Sequence, residues 1–325
     1  MRAIIPVAGV GARLRPFTYS LPKVLLNVAG KPILGHILDA LQENNVDKVT
    51  IITGYKGDLV EQYVNTHYHF HVDYCQQTEQ YGLGHAIWTA RETFEDEPLM
   101  IILGDTIFDA DLKSVSESKY CSIGVKEVSD PRRFGVVVHS NDGFINKLIE
   151  KPETPVSNLA IVGIYYISNP SLLRTCLEKL IDEDIRTRDE YQLTDALQLM
   201  LNNGEKFTSF NVDGWYDCGK PETMLSTNRI LLEKMNTNNI YSDAIIIPPV
   251  YIAPTAHVET SVIGPFASIA EGAVVRNSII KDSIISENSR VEQSLLDRSI
   301  IGNNAVVKGQ FFRLNVGDSS EIKYA

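Results

Sequence analysis

At 325 residues the chain is longer than one ordinary domain, and with 44% hydrophobic and 22% charged residues it has the composition of a folded globular protein. A formal net charge of −11 excludes general nucleic-acid binding, which relies on Lys and Arg to neutralise phosphates. No stretch approaches the ~20 apolar residues of a membrane span, although a local basic cluster that holds a small anion stays open.

The first predicted strand is Ile4–Val7. It feeds the loop Ala8-Gly9-Val10-Gly11-Ala12-Arg13, and a Pro22-Lys23 pair follows. From Met1 to Leu38 the basic residues are Arg2, Arg13, Arg15, Lys23 and Lys31, with no Asp or Glu among them. On an acidic chain this opening points to a polyphosphate. Gly9 and Gly11 let backbone N–H groups approach phosphate oxygens, and Arg13 supplies a permanent forked charge. Leu14 stands where a dinucleotide-binding GxGxxG has its third glycine, and the GK[ST] of a P-loop is missing.

Helical spacing over Ile33–Leu41 and Leu59–Val64 alternates with strands over Lys48–Ile52 and Val72–Cys75. A helix over Gly84–Phe94 precedes the strand Leu99–Leu103, which stops at Gly104-Asp105. This alternation predicts βαβ units and a mainly parallel, Rossmann-like sheet that binds ligands at the carboxyl ends of its strands. From about Cys121 to Phe210 the pattern turns β-rich, with strands over Ser122–Val125, Gly135–His139, Ile145–Ile149 and Ile161–Ile167. A helix near Leu193–Leu201, an extended Phe207–Val212 and a helix over Glu222–Met235 follow. Asn236-Thr237-Asn238-Asn239 reads as a linker, dividing the chain into domains 1–236 and 237–325.

Beyond the linker, apolar residues recur every five or six positions: Ile252, Val258, Ile263, Ile269, Val275, Ile280, Ile285, Val291, Leu296, Ile301 and Val306. Neither a helix nor a simple strand has that period. It fits a stacked solenoid of three to four coils, a short left-handed parallel β-helix of hexapeptides.

Four segments carry chemistry. Asp105 and Asp217 (in Trp215-Tyr216-Asp217-Cys218-Gly219) fall at strand ends, and two such carboxylates suit Mg²⁺, a hard cation that shares its shell with substrate phosphates. In Glu150-Lys151-Pro152 the lysine reaches a phosphate while the glutamate takes sugar hydroxyls. In Gln77-Thr78-Glu79-Gln80-Tyr81-Gly82-Leu83-Gly84-His85-Ala86, the Gln77 amide offers a donor and an acceptor to a pyrimidine edge, with Gly82 approaching the base and His85 opening a helix as a structural residue. Cys75, Cys121, Cys176 and Cys218 show no CxxC spacing and read as reduced thiols. Residues 1–8 already form a core strand, which argues against a signal peptide and for the cytoplasm.

The order GxGxR, PK, GD, EKP lysine and W-x-D-x-G resembles the sugar-phosphate nucleotidylyltransferases from Arg2 to about Glu233, and the hexapeptide tail matches their longer members. The resemblance implies that Ala8, Gly9 and Gly11 cradle a triphosphate. Arg13 clamps the leaving phosphates, Lys23 and Lys151 act on phosphate groups, and Gln77 and Gly82 read the base. It further implies that Gly135, Glu150, Gly163, Tyr165 and Trp215 line a sugar pocket, and that Asp105 and Asp217 hold Mg²⁺. The implied reaction is attack by a sugar 1-phosphate, glucose 1-phosphate above all, on the α-phosphorus of a nucleoside triphosphate, expelling pyrophosphate. Leu83 matches thymidylyl and glucose-type uridylyl members and the QxEQ…GxGHA run is more like uridylyl members, the N-acetylglucosamine type included, so dTTP and UTP both stay open. Ala12, Thr106 and Phe134 depart from the commoner Thr, Asn and Tyr of the thymidylyl pattern. Three rivals stand beside this reading: guanylyl transfer to mannose 1-phosphate, a non-catalytic regulatory paralogue, and an acyltransferase solenoid using His257. The solenoid is expected to pack copies into a homo-oligomer.

Overall fold

The computed structural model describes residues 1–94, 96–235 and 243–309, together with Val316 and Glu321. The chain separates into two compact units, one of residues 1–26 and 31–227, the other of residues 27–30 and 228–325. The division falls at Thr227/Asn228, earlier than the boundary read from the sequence. The expected linker Asn236–Asn239 lies outside the described residues.

In chain order the elements begin β1 (Arg2–Pro6), the two-residue strands β2 (Asn27–Val28) and β3 (Lys31–Pro32), α1 (Ile33–Glu43), β4 (Lys48–Thr53), α2 (Gly57–His67), β5 (His71–Gln76), α3 (Leu83–Thr89) and β6 (Leu99–Ile102). They continue with β7 (Thr106–Asp109), α4 (Leu112–Ser116), β8 (Cys121–Glu127), β9 (Gly135–His139), β10 (Ile145–Glu150), β11 (Leu159–Ile167), α5 (Pro170–Asp182), α6 (Leu193–Asn202), β12 (Phe207–Asn211), β13 (Gly214–Asp217) and α7 (Pro221–Lys234).

Nine strands form one sheet in the order β5-β4-β1-β6-β11-β8-β12-β10-β9. The first four are parallel, and those consecutive along the chain are joined through α1, α2 and α3, as the sequence predicts. The rest is mixed: β11 runs antiparallel to β6 and β8, β12 is parallel to β8, and β10 is antiparallel to β12 and β9. Side chains alternate across these strands into two cores, as the period of two requires. Ile4, Ile52, Leu99 and Ile101 face one with α3, α5 and α6, while Ala3, Ile5, Ile51 and Met100 face the other with Leu34, Ile37 and Leu41 of α1. Helix α5 is absent from the sequence reading. Asn169 caps it by accepting the Leu172 N–H at 3.1 Å, with Pro170 at its first position. The expected helix to Phe94 ends sooner, at Thr89, and a 3₁₀ turn covers Arg91–Thr93.

Among the described residues the second unit holds three four-stranded parallel sheets, one per face of a solenoid with four coils. Register partners lie 17 residues apart at the start of the solenoid (Ala244 with Ser261, Val262 with Ile279) and 16 further along (Ser268 with Ile284, Ile279 with Leu295). The inward positions from Ile252 to Ile301 are those the spacing predicts. The last differs: Val306 is 70% exposed and Val307, paired with Val291, turns inward. Outward on one face, Ile245, Val262, Ile279 and Leu295 align in register as an apolar ladder, and Leu295 is 79% exposed. Within this unit the buried Asn228 amide accepts from the Ala29 N–H and the Ser268 hydroxyl and donates to the Phe266 carbonyl. No described helix is long and apolar enough to cross a membrane.

Candidate active site

The loop after β1 is built around a position only glycine tolerates well. Gly11 has φ 65°, and a Cβ there would lie 2.9 Å from the Lys23 Cβ. Its carbonyl accepts from the Thr18 hydroxyl at 3.0 Å and from the Leu14 N–H at 2.9 Å, which fixes the turn that carries Arg13. Lys23 is 8% exposed and reaches Asp105 Oδ2 at 2.8 Å. Asp105 itself stands just past the end of β6, next to Gly104, whose N–H donates to the Pro6 carbonyl. Burial opposes the Asp105 charge, but the Lys23 ammonium and the Thr106 hydroxyl hold the carboxyl below its ordinary range.

The antiparallel ribbon β7/β13 sets Asp217 opposite Thr106, the neighbour of Asp105. Asp217 Oδ1 accepts the Gly219 N–H at 2.8 Å. A Cβ on Gly219 would lie 2.8 Å from that oxygen and 3.1 Å from Arg13 Nη2, so carboxylate and guanidinium border the same spot. The adjacent Cys218 thiol is pushed up to about 12 by burial, which keeps it protonated and rules it out as a nucleophile near neutral pH.

A cavity of about 620 Å³ opens over these groups. Gly9, Gly11, Arg13, Lys23 and Asp105 line it, and so do Gln77 and Gly82. Gln77 is 6% exposed and continues β5, donating its N–H to the Thr53 carbonyl. Gly82 has φ 108° and presses on the segment after α5: a Cβ there would lie 2.6 Å from the Tyr191 carbonyl oxygen. Ala8 is outside the lining. Its methyl is buried against Gly54 and its carbonyl accepts from the Gln80 side chain, so it supports the loop from below.

The residues expected at the sugar gather elsewhere. Gly135 pairs with Glu150 across β9 and β10, and Glu150 accepts from the Thr194 hydroxyl at 2.8 Å and from Lys151 Nζ at 3.2 Å. Lys151 has φ 43°. Its N–H donates to the Phe134 carbonyl, and its own carbonyl accepts from Arg188 at 2.8 Å. Burial, helped by the Glu150 charge, raises the Tyr165 phenol, which stays neutral. Gly163 lies in the irregularity of β11 and accepts the Leu103 N–H; Trp215 packs edge-on against Phe134 with ring centroids 4.9 Å apart. Among the described residues, none of this group is part of the cavity lining. Sequence reasoning gave no role to Gln80 and Glu190, which do line it, or to Thr194. Gln80 sat inside the quoted glutamine-rich run. Glu190 follows Arg188 and Asp189, both at positive φ, in a segment with no repeating pattern to betray it.

A family model described as Nucleotidyl transferase matches residues 2–234. The chain belongs to the nucleotidyl transferase family. The resemblance carried by the glycine loop, the Pro22-Lys23 pair and the two acids is borne out at that level. This nucleotidyl transferase is 39% identical over 239 residues to the Bifunctional protein GlmU of Methanocaldococcus jannaschii, covering 73% of this chain and 56% of that protein. It is 36% identical to the UTP--glucose-1-phosphate uridylyltransferase AglF of Haloferax volcanii, over 68% of this chain and 93% of that one. With the glucose-1-phosphate thymidylyltransferase of Streptomyces griseus it shares 30% over 86% and 85% of the two chains. A crystal structure of UDP-glucose pyrophosphorylase complexed with UDP-glucose superposes with a TM-score of 0.63 at 25% identity, over 72% of this chain and 99% of that one.

Proposed function

We propose that this nucleotidyl transferase moves a uridylyl or thymidylyl group from UTP or dTTP to a sugar 1-phosphate, with glucose 1-phosphate the favoured acceptor. The observation that carries the reading is the shared cavity: Lys23 and Asp105, 2.8 Å apart, border the same space as Arg13 and the Gln77 amide. A phosphate oxygen of the sugar phosphate attacks the α-phosphorus in line, the bond to the bridging oxygen breaks, and pyrophosphate leaves with that electron pair. In this account Arg13 holds the departing phosphates and Lys23 the α-phosphate. Lys151 holds the acceptor phosphate, and Glu150 with Gly135 orders the sugar hydroxyls.

Asp105 on the cavity wall and Asp217, which lies opposite Thr106 and borders the same spot as Arg13, offer hard oxygen donors, the donor set that suits Mg²⁺ when phosphates complete its shell. When bound there, Mg²⁺ would neutralise charge on the reacting phosphates. The four cysteines are free thiols, which fits a reducing cytoplasm. The outward ladder from Ile245 to Leu295 supports association of like chains.

The test is Mg²⁺-dependent pyrophosphate release across a panel of UTP, dTTP, GTP, CTP and ATP with glucose, mannose and N-acetylglucosamine 1-phosphates. Release with UTP or dTTP and glucose 1-phosphate is expected; no release from any pair would refute the reading.

A further inference from the structure

The hydrogen bonds of Gln77 decide which of its atoms meets a ligand. Gln77 Nε2 lies 3.3 Å from the Gly82 carbonyl oxygen and 3.1 Å from His85 Nδ1. Turning the amide over would set Oε1 against the Gly82 carbonyl, two acceptors with no proton between them. Nε2 therefore faces Gly82. With one Nε2 hydrogen on that carbonyl, the second points at His85 Nδ1, which accepts it only as an unprotonated lone pair. Gln77 Oε1 is then left for the cavity, with no protein partner among the described residues.

The surroundings keep His85 neutral. Its ring stacks on Trp88 at 5.7 Å and on Tyr191 at 6.4 Å, and meets Tyr81 edge-on at 5.3 Å. Burial lowers its pKa below 6.5. The Glu79 carboxylate and carbonyl favour the charged ring, and the Arg186 guanidinium, which sits over the Tyr81 and Tyr191 rings, disfavours it. Arg186 is itself paired with Asp184, and Glu190 lies on the cavity wall beside Tyr191.

We propose that His85, acting with the Gly82 carbonyl, sets base specificity: by accepting the second Nε2 hydrogen of Gln77 it holds Gln77 Oε1 aimed at the nucleobase, so the site takes a pyrimidine whose ring nitrogen donates, uracil or thymine, and turns away cytosine, whose ring nitrogen only accepts. The proposal rests on the nucleotide reading above. His85 acts through Gln77 and is a positioning residue. The sequence reading that left it to packing misses the amide it orients.

Measurement of kcat/KM for UTP and CTP with glucose 1-phosphate, in the wild type and His85→Phe, tests it. Phenylalanine keeps the stacking and removes the acceptor. At pH 8 the UTP-to-CTP ratio is expected to be on the order of tenfold lower in His85→Phe, the scale of one mispaired hydrogen bond, with the KM for glucose 1-phosphate unchanged. In the wild type the ratio should fall as the pH drops below 6.5, because a protonated Nδ1 repels the Nε2 donor; in the variant it should stay flat. The wild-type pH series stands alone if the variant does not fold. A wild-type enzyme that uses UTP with a ratio flat in pH, or a variant with an unchanged ratio, overturns the role of His85. A wild type that uses no triphosphate removes the nucleotide reading beneath it instead.

Discussion

Ser261, Ser278 and Ser294 stack along the solenoid, 5%, 3% and 8% exposed. Each hydroxyl donates to the carbonyl two residues back, and those of Ser261 and Ser278 accept an N–H from the next coil at 3.1 Å. Lys23 and Gln77 in the sheet unit are buried just as deeply, at 8% and 6%, yet their polar ends border an open cavity. Polar groups that answer one another fix a fold and have nothing left for a ligand. Groups whose partners come only from one side make a site. The difference between the units is therefore one of pairing, not of burial.

That contrast can be broken at its strongest point first. Lys23→Ala is expected to lower kcat/KM by roughly 10²–10³-fold, as loss of a charged donor at a reacting phosphate does, with a smaller effect on melting temperature because it breaks a single ion pair on a cavity wall. Steady-state pyrophosphate release and a thermal melt measure the two effects. Ser278→Val should do the reverse. It strands the Ser294 N–H, while the Arg276 carbonyl keeps the Gln293 N–H, and costs about 2 kcal/mol in urea denaturation, while KM for both substrates stays put. A kinetic effect comparable to that of Lys23→Ala would mean that the solenoid shapes the site. Leu295→Lys places a charge on the exposed apolar ladder, and light scattering should then read a mass falling toward that of a single chain.

The smallest effect concerns acid. The Asp105 carboxyl sits below its ordinary 3.8 in the folded state, so its contribution to stability is present above pH 3.8 and fades as the pH falls through the lower folded value. Asp105→Asn should flatten that limb of an acid-unfolding curve; an unchanged limb would mean that the Lys23 pair adds nothing.

Legibility in the sequence follows the same line. The solenoid repeats one local decision, so spacing alone finds Ile252 through Ile301. It fails at Val306 and Val307, where adjacent valines give no local choice and the register with Val291 decides. Gly9, Gly11, Arg13 and Lys23 were legible because the loop that uses them is a short stretch of chain. Ala8 stands in the same loop yet outside the cavity lining, its carbonyl held by the Gln80 side chain, a contact too distant in sequence for the motif to show. Glu190 escaped because only long-range contacts, such as Tyr191 N–H to the Tyr81 carbonyl, bring its segment to the cavity. The ribbon that carries Asp217 to Thr106 joins residues more than a hundred positions apart, and only the motif around Asp217 pointed to it.

The central claim is that the α-phosphoryl group moves to a sugar phosphate while pyrophosphate departs. Incubation with UTP labelled at the α-phosphorus, glucose 1-phosphate and Mg²⁺, resolved by chromatography, tests it most directly. Label is expected in UDP-glucose with one unlabelled pyrophosphate released per turnover, and both are expected to be lost in Lys23→Ala. Label that ends in UMP or UDP would contradict the claim, as would label that stays in UTP when α-labelled dTTP is left unused as well.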